Sequence, residues 1–285
     1  MSPGKNRQGC FSFEFFPPRT PEGEQSLLKT HKELASLGPD FFSVTYGAGG
    51  STREGTRRIV LRLKDQGSSV VPHLSFGSSS EAELLVLLNS YRDAGIDRLV
   101  VLRGDIPSGM GSGGQYRYAA ELVAFVREKF GNQFHIDVAC YPEVHPQAES
   151  YEADLAFFRL KVNAGADSAI TQYFYSPDAY FHFRDRCLGL GINIPIVPGI
   201  MPITNYVKLA RFSANCGAEI PRWIRRCLEG YGDDSDSIRA FGIDVVSSLC
   251  ETLLQEGAPG LHFYCMNQSS PAREIWQNLN LPVAR

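Results

Sequence analysis

Apolar residues along this chain fall into two alternating rhythms. Short runs, continuous or alternating in apolar character, are followed by longer stretches with apolar residues three and four apart. These are the periods of strand and helix. Eight runs predict strands: Phe11–Phe16, Phe41–Tyr46, Val70–Phe76, Arg98–Arg103, Phe134–Cys140, Ser168–Phe174, Ile194–Val197 and Leu261–Met266. Between them the spacing predicts helices over Pro21–Leu37, from a Ser51 or Thr52 cap to Lys64, and over Glu81–Ala94, Tyr118–Phe130, Tyr151–Ala164 and Pro177–Leu190. After the seventh strand, Asn205–Glu229 reads as two helices split at Glu219-Ile220-Pro221, and Ser235–Gln255 and Pro271–Leu279 as two more. Strand–helix units with short links are the signature of a parallel sheet covered on both faces. The length suits a (β/α)₈ barrel, typically about 250 residues. A doubly wound sheet is the alternative, but it carries a phosphate loop directly after its first strand, where this chain has Pro17-Pro18. No linker interrupts the pattern. The expectation is an α/β fold: one catalytic TIM barrel over residues 1–285, with extra helices near the C-terminus and a flexible segment at 1–9.

Composition removes several function classes. A net charge of -3 gives no basic field for nucleic acid. No apolar run approaches the roughly 18 residues of a membrane span, and no signal peptide opens the chain. The seven cysteines are odd in number and lack a CxxC pair, as expected of reduced thiols in a cytoplasmic protein.

In a barrel of this kind, chemistry sits at the carboxyl ends of the strands. Those ends carry Glu14, Thr45, Tyr46, His73, Arg103, Asp105, Tyr141, His145, Gln172 and Asn267. Each has a plain structural use on its own: His73 as a bonded core histidine, His145 or Asp105 as turn residues. Their shared position after successive strands makes a functional ring the better reading. Glu14 is the anomaly, a carboxylate among four phenylalanines, where lost solvation would favour the protonated acid. HExxH, CxxC and GxSxG are missing, so the sequence offers no zinc-type site or nucleophile elbow. A literal GxGxxG at Gly109, Gly111 and Gly114 lies in a Gly/Ser-rich loop detached from its strand, and reads as a flexible lid rather than a dinucleotide fingerprint. The remaining aromatics, small residues, one arginine, two histidines and two isolated acids suit a large planar cofactor with phosphates, together with proton transfer. On the residues alone, two rivals stay open: a metal- or phosphate-dependent lyase on the same barrel, and a non-catalytic protein that only binds the planar ligand.

Eight dispersed blocks narrow this further. FSFEFFPPRT at 11–20, SVTYGA at 43–48, PHL at 72–74, LRGD at 102–105, YPEVHP at 141–146, GAD..ITQ at 165–172, PGI.P at 198–202 and LHFY at 261–264 together resemble the methylenetetrahydrofolate reductase family, in order and at compatible spacing. The resemblance implies a (β/α)₈ barrel holding FAD. It also implies ping-pong reduction of 5,10-methylenetetrahydrofolate to 5-methyltetrahydrofolate at the expense of NADH or NADPH. It implies Glu14 as general acid and Asp105 between flavin and pterin. Tyr46, Ala48, His73, Arg103, Gly104, Asp105, Tyr118, Ala119, Tyr141, His145, Ala148, Asp154 and Lys161 would line FAD. Thr45, Asp105, Gln172 and Phe212, with Lys208 and Gln268, would face the nicotinamide nucleotide or folate. The chain looks like the short bacterial type, without a C-terminal regulatory domain, and a homo-oligomer is expected. It departs from the family's pattern at Phe157 and Leu160, where bacterial relatives often carry Asn and Arg, and at Lys208 and Gln268, which replace a glutamine and an arginine.

Overall fold

The computed structural model describes residues 9–46, 53–76, 79–103 and 118–283. Ala48, Gly104, Asp105, the Gly/Ser-rich loop and residues 1–8 of the segment 1–9 expected to be flexible lie outside the described residues. The elements run β1 (Cys10–Phe15), α1 (Pro21–Ala35), β2 (Phe41–Val44), α2 (Arg53–Asp65), β3 (Val70–Leu74), α3 (Glu81–Asp93), β4 (Arg98–Val101), α4 (Ala119–Phe130), β5 (His135–Cys140) and α5 (Tyr151–Asn163). They continue β6 (Ser168–Thr171), α6 (Pro177–Gly189), β7 (Ile196–Val197), β8 (Gly199–Ile200), α7 (Tyr206–Cys216), α8 (Arg222–Tyr231), α9 (Ser235–Gln255), β9 (Gly260–Tyr264) and α10 (Ser270–Asn278). Helix starts follow their caps. Thr20 accepts from Gly23 N–H ahead of Pro21, and Ser80 and Glu83 form a reciprocal capping box.

All strands pair in parallel, in the order β7-β6-β5-β4-β3-β2-β1-β9-β8. The two ends of that order are consecutive in the chain, separated only by Pro198. The expected seventh strand, Ile194–Val197, is therefore one strand position broken in two. β7 pairs with β6 and β8 with β9, so the segment closes the barrel around a proline that cannot donate to a ladder. Pro198 still contributes its carbonyl, which accepts from His262 N–H at 2.9 Å.

Period-two alternation sorts side chains between barrel interior and helix layer. On β1, Phe11, Phe13 and Phe15 face outward into the main core. Phe11 and Phe13 each stand 5.6 Å from the Trp276 ring of α10, and Phe15 stacks on Phe42 at 5.4 Å. Ser12 and Glu14 take the other face. The barrel interior holds a small apolar layer of Phe41, Val71, Val100 and Ile170. Below it, Arg98 Nε and Nη2 clasp buried Asp137 at 2.6 and 2.8 Å, and Ser168 also donates to that carboxylate. Burial by itself would raise the Asp137 pKa. The Arg98 and His135 hydrogen bonds, Arg98's charge and Ser168 outweigh it and hold the carboxyl well below its usual range. Among the described residues, no helix is long and apolar enough to cross a membrane.

Candidate active site

Glu14 enters the upper interior from β1 and meets two imidazoles. Its Oε2 lies 3.3 Å from His73 Nε2 of β3 and 3.5 Å from His262 Nε2 of β9. Register explains the meeting. Glu14 pairs with Ser43 on β2 and with Tyr264 on β9, and His262 sits one inner step below, opposite Ser12. Ser43 is small and leaves the space across which His73 reaches from the next strand but one. This corrects the sequence-based account of Glu14. Alternation that makes the phenylalanines core residues also carries their rings to the opposite face, so the carboxyl's neighbours are two histidines.

Burial pulls the His73 pKa down more than the Glu14 carboxylate pushes it up, so the ring is neutral at pH 7. His262 is fixed from behind: Ser12 Oγ lies 2.7 Å from its Nδ1. Both His73 nitrogens and His262 Nε2 are buried without a hydrogen-bond partner among the described residues. Buried nitrogens are normally satisfied, so three orphans around one carboxyl mark a place where a ligand or water supplies the missing partner.

A second group of residues lines the end of β5. The Tyr141 and His145 rings meet edge-on at 4.5 Å. His145 N–H donates to Asp154 Oδ2 at 2.8 Å, and Gln147 N–H donates to His145 Nδ1 at 3.0 Å. Arg103, half-buried at the end of β4, donates to Gln147 Oε1. Lys161, one face along α5 from Asp154, donates to Ala139 O, and desolvation draws its pKa below the ordinary lysine value. Thr45 and Tyr46 are half-buried after β2, as are Ala119 and Ala148 near the same rim, whereas Tyr118 is exposed.

Not every expected residue joins these groups. Gln172 spends its Oε1 on the Tyr173 N–H at 3.0 Å. Phe212 is exposed on α7, 6.3 Å from the Tyr173 ring. Lys208, in the first turn of α7, and Gln268, after β9, are exposed as well. Asn267 is a fastener rather than a ring member: its side-chain amide both accepts from Phe16 N–H at 3.0 Å and donates to Phe16 O at 2.9 Å. Sequence reasoning missed Ser12, His262 and Gln147. The first two were accessible to period two, because Ser12 shares Glu14's face and His262 precedes an outward Phe263. Gln147 had no such signal. Among the described residues, no three His, Cys, Asp or Glu side chains are grouped to hold a metal ion.

An acid flanked by imidazoles thus stands at the carboxyl end of a parallel barrel, beside cationic and aromatic side chains, at the end where (β/α)₈-barrel enzymes carry their chemistry. The family described as Methylenetetrahydrofolate reductase matches residues 3–280. The chain belongs to this family and is an oxidoreductase. It is 40% identical over 271 residues to 5,10-methylenetetrahydrofolate reductase of Escherichia coli (strain K12), covering 95% of this chain and 90% of that one. The enzyme of Buchnera aphidicola subsp. Schizaphis graminum is 38% identical over 260 residues, with 90% and 87% covered. Methylenetetrahydrofolate reductase (NADH) 1 of Arabidopsis thaliana is also 38% identical, and the match spans 96% of this chain but 49% of the plant protein. Among solved structures, an uncharacterized Clostridium thermocellum protein that binds two copies of 5-methyl-5,6,7,8-tetrahydrofolic acid shares the fold. Its TM-score is 0.68 at 17% identity, with 95% and 94% of the two chains covered.

Proposed function

We propose that the protein reduces 5,10-methylenetetrahydrofolate to 5-methyltetrahydrofolate, with FAD as its resident cofactor, NADH or NADPH as electron source, and Glu14 as general acid. The observation that carries this reading is the Glu14 carboxyl held between His73 and His262 where the strands end. The family match and the folate bound by the Clostridium thermocellum neighbour support the substrate class.

The residues present fit FAD. Arg103, held by Gln147, and Lys161 supply positive charge for a pyrophosphate, and the orphaned His73 nitrogens can meet ring heteroatoms. On the family resemblance, Tyr46, Tyr118, Ala119, Tyr141, His145, Ala148 and Asp154 would complete the lining, together with Ala48 and Gly104, which lie outside the described residues. When bound, FAD supplies the two-electron relay between nicotinamide and the one-carbon unit. Glu14 gives its proton to N10 as the bond from N10 to the methylene carbon opens, and the hydride arriving at that carbon makes the methyl group on N5. His73, neutral, accepts or donates a hydrogen bond beside Glu14 without adding a competing positive charge. Asp105 takes hydrogen bonds from the pterin edge, and Thr45, Gln172, Phe212, Lys208 and Gln268 contact the nucleotide or folate as each occupies the site.

The spectrum of the protein as isolated tests this reading. We expect a flavin band that NADH bleaches without oxygen and that methylenetetrahydrofolate restores. A colourless protein that takes up no added FAD would overturn the assignment.

A further inference from the structure

Helix α7 carries Lys208 and Phe212, yet it is thinly anchored: of its 11 residues, Leu209 and Ser213 are the buried ones. Leu209, Phe212, Ser213 and Cys216 recur three and four apart and so share one face of the helix. What meets that face is Tyr173, the second residue after β6. Its buried ring stacks on the half-exposed Phe212, with centroids 6.3 Å apart and planes 30° from parallel. Its hydroxyl, also enclosed, lies 2.9 Å from Ser213 Oγ and 3.4 Å from Cys216 Sγ. Burial pushes the Tyr173 pKa up, so the group is a neutral hydroxyl at pH 7. The far end of α7 is tied to the loop after β5. Glu143 Oε2 accepts from Glu219 N–H at 2.8 Å, and Gly217, left-handed at φ 75°, lies so close to that loop that a Cβ would stand 3.0 Å from Val144 O. These contacts belong neither to the Glu14 cluster nor to the lining proposed for FAD.

We propose that Tyr173 is a positioning residue for the folate substrate: its enclosed hydroxyl fastens α7 through Ser213 and so sets the Phe212 ring against the bound substrate. The inference rests on the reading of Phe212 as a substrate contact and names what holds that contact in place. A short helix with few buried apolar residues opens locally at little cost, so an exposed ring on it has no fixed place of its own. One enclosed hydrogen bond then carries much of the docking, because a buried hydroxyl left without its partner loses solvation that nothing replaces. Tyr173 imposes two constraints together. Its ring sets the plane of Phe212, and its hydroxyl sets how closely the helix sits. Tyr173→Phe keeps the first and loses the second.

Amide hydrogen exchange over α7 and steady-state kinetics with methylenetetrahydrofolate test this together. Tyr173→Phe should speed exchange across residues 206–216 and raise KM for methylenetetrahydrofolate about three- to tenfold, the range spanned by a hydrogen bond of ordinary net strength. The value of kcat should stay within about twofold, as when binding common to ground and transition states is lost. Ser213→Ala and the double variant should match Tyr173→Phe in KM, since each removes the same bond. In a Phe212→Ala background, Tyr173→Phe should add less than about twofold, because its effect passes through that ring. Unchanged exchange would overturn the fastening. Faster exchange with an unchanged KM, or additive effects of Tyr173 and Phe212, would overturn the positioning role and leave Tyr173 a packing residue. A wild-type KM in Phe212→Ala would instead overturn Phe212 as a substrate contact, and wild-type protein that does not turn over methylenetetrahydrofolate would overturn the proposed function and this inference with it.

Discussion

The Ser12 hydroxyl, 2.7 Å from His262 Nδ1, decides how that ring faces Glu14. Without it the imidazole loses its one side-chain hydrogen bond among the described residues and can turn its Nε2 away from the carboxyl. Ser12→Ala removes one oxygen from a fully enclosed position and touches no proposed ligand atom, so Ser12 is a positioning residue. Leaving His262 Nδ1 unsatisfied should cost about 1–3 kcal/mol of stability. It should slow the folate half-reaction, change its pH profile, and leave reduction of the cofactor by NADH unaffected. Stopped-flow traces of the two half-reactions across pH check this, and an unaltered profile with only reduced stability would assign Ser12 to packing alone. Glu14 itself was legible in the sequence as the one acid in an aromatic strand, but its surroundings were misassigned. Counting phenylalanines along the strand ignored that odd and even positions part company.

Strands and helices were legible almost throughout, since the periods are clean and the caps are strong. The apolar pattern carries five strands two or three residues past their carboxyl ends, to Tyr46, Phe76, Arg103, Phe174 and Met266. The strands stop at Val44, Leu74, Val101, Thr171 and Tyr264. There the chain leaves the ladder to form the site, yet its aromatics stay covered: Tyr173, Phe174 and Tyr175 are all buried. Apolar character reported burial correctly and pairing incorrectly, because it responds to water and not to a ladder partner. The broken strand at Pro198 was hidden for a different reason. Proline ends a strand in sequence terms, but here the barrel resumes at Gly199, where a Cβ would stand 2.1 Å from Thr171 O. A close backbone approach of that kind has no one-dimensional signature, and neither does Gln147, whose role depends on the fold of the loop after β5.

At the scale of the molecule, the barrel has a polar floor and a reactive rim. The floor is the Arg98–Asp137 clasp with Ser168, and breaking it strands a guanidinium. Asp137→Asn should lower the unfolding free energy at pH 7 by about 3–5 kcal/mol, as for a buried pair that loses one partner. The folded-state pKa of Asp137 is depressed, so its contribution is complete above the unfolded value of about 3.9 and is lost as pH falls through the lower folded value. The gap between wild type and variant in urea unfolding should therefore narrow below about pH 4, where unfolded aspartate begins to bind protons. A gap independent of pH would mean that packing, not charge, sets the cost. The rim carries the central claim, that Glu14 delivers the proton that opens the folate ring. Glu14→Gln keeps size and polarity while removing the transferable proton, and the measurement is stopped-flow comparison of the variant's two half-reactions. The account predicts a folded, yellow protein reduced by NADH at the wild-type rate, with folate reduction slowed at least 10²–10⁴-fold, roughly the usual worth of a general acid. Near-wild-type folate reduction, or equal damage to both half-reactions, would contradict it.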